Sequence, residues 1–272
     1  MKNVSEESKE QKRWDQYGQE RMVAMQKNPE RFIITNSPYQ GIEMHDGLMK
    51  YLGSIGGKKV LELGCGHGVF SVFLAKQGAK VAGLDIGPSL IASANMLAGI
   101  NQVDCEFREA SILQLPFEAN SFDIVVGMRI LHHLSHIDLI KAVQETHRVL
   151  KENGIAVFSE PVENSKIFDF IQKLFPAGKK GDRYYRPSVL QRKAWGKYIE
   201  TLDDRPLTTE ELIAAGRLFR TVEKQSYGLL IRLQRLVGRR FRRALFAIDK
   251  VLLGSVHPLR YFCQYVLVQY RK

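Results

Sequence analysis

VLELGCGHGVF, residues 60–70, sets three glycines, Gly64, Gly66 and Gly68, directly after an apolar run. Glycine loses more backbone freedom on folding than any other residue, so such a cluster belongs where the chain must turn sharply or come close to something. The run before the glycines predicts a strand over 59–63, and VFSVFLAK after them a helix over 69–76. A glycine loop between a strand and a helix lets backbone approach a ligand and aims helix N–H groups at it. Outward from there, 79–86 reads as a second strand, 88–98 as a helix with Pro88 at its start, 104–108 as a weaker strand and 122–128 (FDIVVGM) as a strong one. A helix over 139–150, closed by Asn153-Gly154, and a fifth strand over 155–159 follow. Strands alternating with helices at this spacing predict an α/β fold: a parallel sheet with helices on both faces.

Length and composition agree with that class. The chain has 272 residues with 44% apolar, enough for one large domain with a real core. Its three cysteines, Cys65, Cys105 and Cys263, stand far apart with no CxxC or Cys/His pattern, which argues against a zinc site or disulfide framework and for a reducing compartment. No signal-peptide pattern opens the sequence and no run approaches a membrane span, so the expected location is cytoplasmic, with peripheral membrane contact as an addition considered below. The net charge of +11 is uneven: residues 217–272 hold 13 basic side chains against Glu223 and Asp249 alone, and so carry the whole excess.

Asp85 ends the second predicted strand, 21 residues beyond Gly64, where a carboxylate can accept hydrogen bonds from both hydroxyls of a ribose. A dinucleotide fingerprint is G-x-G-x-x-G; here the spacing is G-x-G-x-G, with Val69 in the place of the third glycine. Glu62, two residues before the loop, suits a ligand with a cationic amino group better than a pyrophosphate. These differences point away from NAD and towards S-adenosyl-L-methionine.

VLELGCGHG, then GLDIGPSLI, then LPFEANSFDIVVGMRILHHL, in that order across about residues 58–160, resemble the class I S-adenosylmethionine-dependent methyltransferases, in the subgroup that includes the ubiquinone/menaquinone-biosynthesis type enzymes. The resemblance implies a Rossmann-like, seven-stranded, mostly parallel sheet whose last strand, for which 261–270 is the candidate, runs antiparallel. It implies that Glu62, Gly64, Cys65 (by its backbone) and Gly66 line the methionine end of the cofactor, that Asp85 binds the ribose and that Ile86 packs on the adenine. Ser111 stands where the family usually has an Asp for the adenine amino group, a departure that leaves one hydrogen bond and implies weaker cofactor binding. Arg129 matches the position whose backbone borders the methionine moiety, and His132 and His133 follow it at the mouth of the acceptor pocket. Either these histidines are a packing element, with one ring bonded to backbone, or one of them is a general base. Glu160 ends the fifth strand facing the same cleft, with a binding or basic role or as a solvated carboxylate. No metal-ligand cluster is seen, nor the N/D-P-P-Y/F motif of amino-methylating nucleic-acid enzymes; Met128-Arg129-Ile130-Leu131 stands in its place.

The remaining segments complete one domain. Residues 1–50 read as an N-terminal helical lid with Trp14, Tyr17 and Met22 as anchors, and 51–160 as the cofactor-binding core. Residues 161–216 read as a helical insertion, its last short helix opened by the capping-box pattern at 208–211 and closed by Gly216. Its Phe168, Phe170, Phe175, Tyr184, Tyr185 and Trp195 suggest a roof suited to a lipid-like or aromatic acceptor. Residues 217–272 read as the final strands, the first over 219–227, around a basic amphipathic helix at about 229–253. On that helix Leu230, Leu233, Val237, Phe241, Ala244, Ile248 and Val251 share one face and the arginines the other. The apolar face either meets an anionic membrane or packs on the domain, there or as a cover over the active site. The expected function is methyl transfer to oxygen, nitrogen or carbon of a small-molecule or lipid-linked acceptor. The alternatives are an RNA methyltransferase using the basic segment and a cofactor-binding protein without transfer; nucleic acid is disfavoured because aromatics are not interleaved on the basic face.

Overall fold

Four of the five residues of β1 (Lys59–Leu63) are buried, the mark of a central parallel strand covered on both faces. The computed structural model describes residues 4–41, 43–162, 207–230 and 241–272. The aromatic roof expected at 168–195 and residues 231–240 of the expected basic helix lie outside these. Around β1 are β2 (Lys80–Asp85), β3 (Cys105–Glu109), β4 (Phe122–Met128), β5 (Leu150–Pro161), β6 (Thr221–Tyr227) and β7 (Tyr265–Arg271), in the sheet order β3-β2-β1-β4-β5-β7-β6. β1 to β5 pair in parallel, and β7 runs antiparallel to both β5 and β6. Strand order reverses between β1 and β4, where an open α/β sheet leaves a crevice at the carboxyl ends of its strands.

Alternation along the strands builds a core on each side. Leu61, Leu63, Val125, Phe158 and Val268 face one layer, with α5 (His136–Val149) and α6 (Thr209–Ala215). Val60, Ile124, Val126, Val157 and Leu267 face the other, with α2 (His45–Leu52) and α3 (Val69–Lys76). α1 (Val4–Lys27) lies against α4 (Pro88–Asn101) through Met25, Leu97 and Ala98. The two helices approach so closely that a Cβ on Gly18 would stand 2.7 Å from the Ser89 backbone. Asn101 ties down the chain that leaves α1, accepting from Ile34 N at 2.7 Å and donating to Phe32 O at 2.9 Å.

The elements follow the sequence reading apart from shifts at their ends, among them that of the last strand, expected over 261–270, which begins at Tyr265 because His257–Phe262 turns as a 3-10 helix. α5 begins at His136, before the expected 139, because Ser135 caps it by accepting from Asp138 N. α4 continues to Asn101 and stops where Gln102 turns left-handed. β5 extends over Leu150–Pro161, so Asn153-Gly154 is not a helix stop but an irregularity within the strand, where the register to β4 slips. Asn153 takes φ 63°, and a Cβ on Gly154 would meet Lys151 O at 2.8 Å. The capping box at Thr208 and Glu211 forms as expected.

The largest difference concerns the basic segment, expected as a helix over about 229–253: residues 229–230 form a bend, and α7 spans Arg242–Ser255. Leu245, Asp249 and Leu253 are buried, while Phe241, Ile248 and Val251, from the face expected to be apolar and covered on one of the two readings, are 44%, 48% and 66% exposed. Asp249, wholly buried, decides this orientation: it accepts from Leu230 N at 3.0 Å and takes a hydrogen bond from the Glu43 carboxyl. A buried carboxylate must be met by hydrogen-bond donors, and here those partners fix which face of the helix turns inward.

Candidate functional site

The glycine loop joins β1 to α3, and each of its glycines takes a positive φ. At Gly64 (φ 66°) a Cβ would lie 2.5 Å from Ile130 Cδ1, so only glycine lets the β4 turn close against the loop. At Gly66 (φ 51°) a Cβ would meet nothing within 4 Å, because it would project into open space. That space is a cleft of about 1160 Å³ bordered by the loop, by the ends of β2 and β4, and by Trp14 and Tyr17 of α1.

Asp85 locks the loop from the end of β2. Its Oδ2 accepts from Gly66 N at 2.9 Å and its Oδ1 from Gly87 N at 3.0 Å, which leaves each oxygen of this cleft-lining residue with further acceptor capacity. Burial raises the Asp85 carboxyl, against the pull of these N–H groups and of His133 nearby. Beside it Ile86 is 59% exposed on the cleft wall, an apolar side chain with a face open to a flat ring. Ser111 also lines the cleft, and its hydroxyl accepts from Leu113 N at 3.2 Å.

Two residues expected at the cofactor do not line the cleft. Glu62 points beneath the loop, 4% exposed, where Ser71 Oγ donates to it, and burial pushes its carboxyl up to about 8. The alternation of β1 turns it into the layer under α3, so it braces the start of that helix. Cys65 is buried too, its thiol pushed well up by burial; its backbone N donates to Leu84 O at 2.8 Å and ties the loop to β2.

Two expected catalytic residues are likewise withdrawn. Glu160 has no exposed surface: its carboxylate accepts from Ile130 N at 3.0 Å, Leu131 N at 2.9 Å and His132 N at 3.3 Å, and meets His132 Nδ1 at 2.8 Å. It holds the Leu131–His133 turn in shape and is neither solvated nor directed into the cleft. His132 is buried against it, and the His132 ring lies 4.2 Å from that of His133. His133 does reach the cleft, as does Arg129, whose φ of 59° is left-handed.

The loop motif gave no reason to single out His67 and Arg21. His67 Nδ1 lies 3.0 Å from Ser93 Oγ, while burial and the charge of Arg21 push the ring down to about 4, so it is neutral at neutral pH. Among the described residues, His67 Nε2 and Arg21 Nε are buried with no hydrogen-bond partner. Such an orphaned group costs about 1–3 kcal/mol, and His67 lines the cleft with Arg21 near enough for its charge to act on the ring, so a ligand there could relieve the cost. Only the fold brings α1 over the loop, which is why no local pattern disclosed the pair. The open Gly66 cradle, the Asp85 lone pairs, the bare Ile86 face and these two nitrogens together fit S-adenosylmethionine, with its ribose, adenine and methionine carboxylate.

Comparison with known proteins agrees. The family model for a methyltransferase domain matches residues 61–158. A ubiquinone biosynthesis O-methyltransferase of Pseudomonas entomophila (strain L48) is 31% identical over 181 residues, covering 62% of this chain and 76% of that one. An S-adenosylmethionine-dependent methyltransferase from Mesorhizobium loti superposes with a TM-score of 0.55 at 20% identity, over 85% of this chain and 99% of that one. A geranyl diphosphate C-methyltransferase from Streptomyces coelicolor A3(2), solved with geranyl diphosphate and S-adenosyl-L-homocysteine, superposes with a TM-score of 0.54 at 17% identity, over 83% of this chain and 76% of that one.

Proposed function

Since the chain belongs to the class I S-adenosylmethionine-dependent methyltransferases, in the ubiquinone-biosynthesis type subgroup, and transfers a methyl group to a small-molecule acceptor, we propose that the acceptor is a lipid-linked or aromatic hydroxyl compound and that the cleft residues divide the work as follows. Gly64, Gly66, Asp85, Ile86 and Ser111 hold the nucleoside half of the cofactor, and Arg21 with His67 holds its carboxylate. Bound there, S-adenosylmethionine supplies a methyl group already activated on a sulfonium sulfur. What remains for the chain is to align the acceptor oxygen and exclude water, which supplies most of the acceleration. His133, the expected catalytic residue that lines the cleft, takes the acceptor proton on its imidazole. Glu160 and His132 act at one remove by fixing the turn that carries His133. Residues 1–50 serve as a lid, supported by Trp14 and Tyr17 on the cleft wall.

The single observation that carries this reading is the cradle at Gly66 facing Asp85. Incubation with methyl-tritiated S-adenosylmethionine and a fractionated cell extract tests it, with Gly66→Val as the control. Label in the lipid or aqueous small-molecule fraction, absent from the control, is expected. Label in the RNA fraction would instead support the disfavoured alternative, and cofactor binding without label in any fraction would support a binding protein.

A second observation, the outward apolar row of α7, supports peripheral contact with an anionic membrane. Phe241, Ile248 and Val251 are exposed and flanked by Arg243 and Lys250, the arrangement of an interfacial helix. Among the described residues no helix is long and apolar enough to cross a membrane. Co-sedimentation with phosphatidylglycerol vesicles, lost in Ile248→Asp, is the expected result; equal sedimentation of the variant would refute this contact.

A further inference from the structure

Along the carboxyl ends of the strands, Asp85, Ile86 and Ser111 occupy the β2–β3 end of the cleft, and Met128, Arg129 and Ile130 the β4 end. With the nucleoside at the first end, the acceptor comes in from the second. Arg129 stands there in an unusual state. Its backbone is left-handed, a conformation unfavourable to any residue with a side chain and kept mainly where a site requires it. Its backbone N donates to Ser159 O at 2.8 Å, which pins the strained residue in place. Its guanidinium lies 5.3 Å from the centre of the Tyr265 ring. Tyr265 in turn stacks on Tyr227 (5.3 Å between centres, 15° between planes), whose hydroxyl bonds Ser159 Oγ at 2.6 Å. The cation is thus held against a layered aromatic wall contributed by β7 and β6, strands distant in sequence from the glycine loop.

Among the described residues no carboxylate pairs with this guanidinium. Glu160, the acid nearest along β5, already serves the three N–H groups and the His132 ring. Oriented guanidinium groups recognise planar oxyanions through paired, charge-assisted hydrogen bonds.

We propose that Arg129 selects the acceptor: its guanidinium binds an oxyanion, a carboxylate or a phosphate, carried by the molecule that is methylated. This rests on the cleft being a joint cofactor and acceptor site. It gives Arg129 a side-chain role in place of the backbone contact with the cofactor inferred from family resemblance.

Calorimetry on protein loaded with S-adenosylhomocysteine, titrated with phenol, benzoate and phenyl phosphate, tests it. At least one anion should bind roughly 10-fold or more tightly than phenol, the usual gain from a charged hydrogen bond. Arg129→Gln should reduce that preference to about twofold or less and leave S-adenosylhomocysteine affinity as it was, while Arg129→Lys retains part of the preference. Benzoate ahead of phenyl phosphate assigns a carboxylate, and the reverse order a phosphate. Equal binding of phenol and both anions, binding of none, or a preference that survives in Arg129→Gln overturns the proposal. Loss of S-adenosylhomocysteine from Arg129→Gln alone overturns it as well, by making Arg129 a cofactor residue. Failure of the wild-type protein to take up S-adenosylhomocysteine strikes the cofactor reading itself and this inference with it.

Discussion

The two ends of the cleft are built in opposite ways. At the proposed cofactor end the chain between residues 60 and 112 does nearly everything, largely with backbone: three left-handed glycines, one carboxylate that receives two loop N–H groups, and one bare isoleucine. At the proposed acceptor end, side chains from the turn after β4 and from β6 and β7 meet: Arg129, Tyr227 and Tyr265, with Tyr39 close enough that Arg129 acts on its hydroxyl. A backbone site tolerates little change because the chain path is itself the binding surface. A side-chain site can be refitted residue by residue on the same frame, which is how one fold serves many acceptors.

If that contrast is sound, damage at the first end should be general and damage at the second selective. Gly64→Val should be the most severe change. It forces a side chain into the left-handed region and against Ile130, costing about 2–5 kcal/mol. A large fall in melting temperature together with loss of S-adenosylhomocysteine binding is expected; a variant that melts and binds like wild type would mean the loop is not the rigid cradle described. His133→Asn should lower kcat by about 100-fold or more while cofactor affinity stays the same. A drop in cofactor affinity instead would move His133 to the Asp85 side, where its charge is already felt. Asp85→Ala should weaken S-adenosylhomocysteine binding by roughly 1.5–3 kcal/mol in a calorimetric titration, the worth of hydrogen bonds to a charged group. Unchanged affinity would show that the ribose lies elsewhere.

The mildest prediction concerns Glu43, which joins the chain before α2 to α7. Burial and the neighbouring Asp249 push its carboxyl up to about 8, and protonated it donates to Asp249 while accepting from Gly228 N at 3.0 Å. A carboxyl raised on folding lends stability that is complete below its unfolded value near 4.5 and is lost as pH rises to about 8. Glu43→Gln stays neutral and keeps both hydrogen bonds, so it should melt with wild type at pH 5 and above it at pH 8.5. Some pH dependence should persist in the variant, because buried Glu62 is raised to about 8 at the other end of the molecule. Parallel melting curves for the two proteins across that range would disprove the shared proton.

The glycine-loop end of the cleft was legible because its signals are local. Glycine spacing, Asp85 at a strand end and Pro88 at a helix start each record a backbone requirement within a few residues. Position in sequence did not reveal direction. Glu62 and Glu160 were correctly seen to lie on strands bordering the site, yet one turned under α3 and the other became the brace of a turn, since a buried carboxylate goes where donors satisfy it. The basic helix shows the same limit. The apolar row expected to share one face turns Phe241, Ile248 and Val251 outward, because the buried Asp249 set which face of α7 turned inward.

From its sequence alone this protein has a parallel α/β core, a glycine loop between its first strand and helix and a basic final segment, because period, turn chemistry and charge act over short stretches of chain. Tertiary structure decided which carboxylates are spent on backbone, which nitrogens are left without a hydrogen-bond partner, and which cation lies against the aromatic wall. Those outcomes depend on contacts between segments as far apart as Arg21 and His67, or Arg129 and Tyr265, which no local pattern encodes.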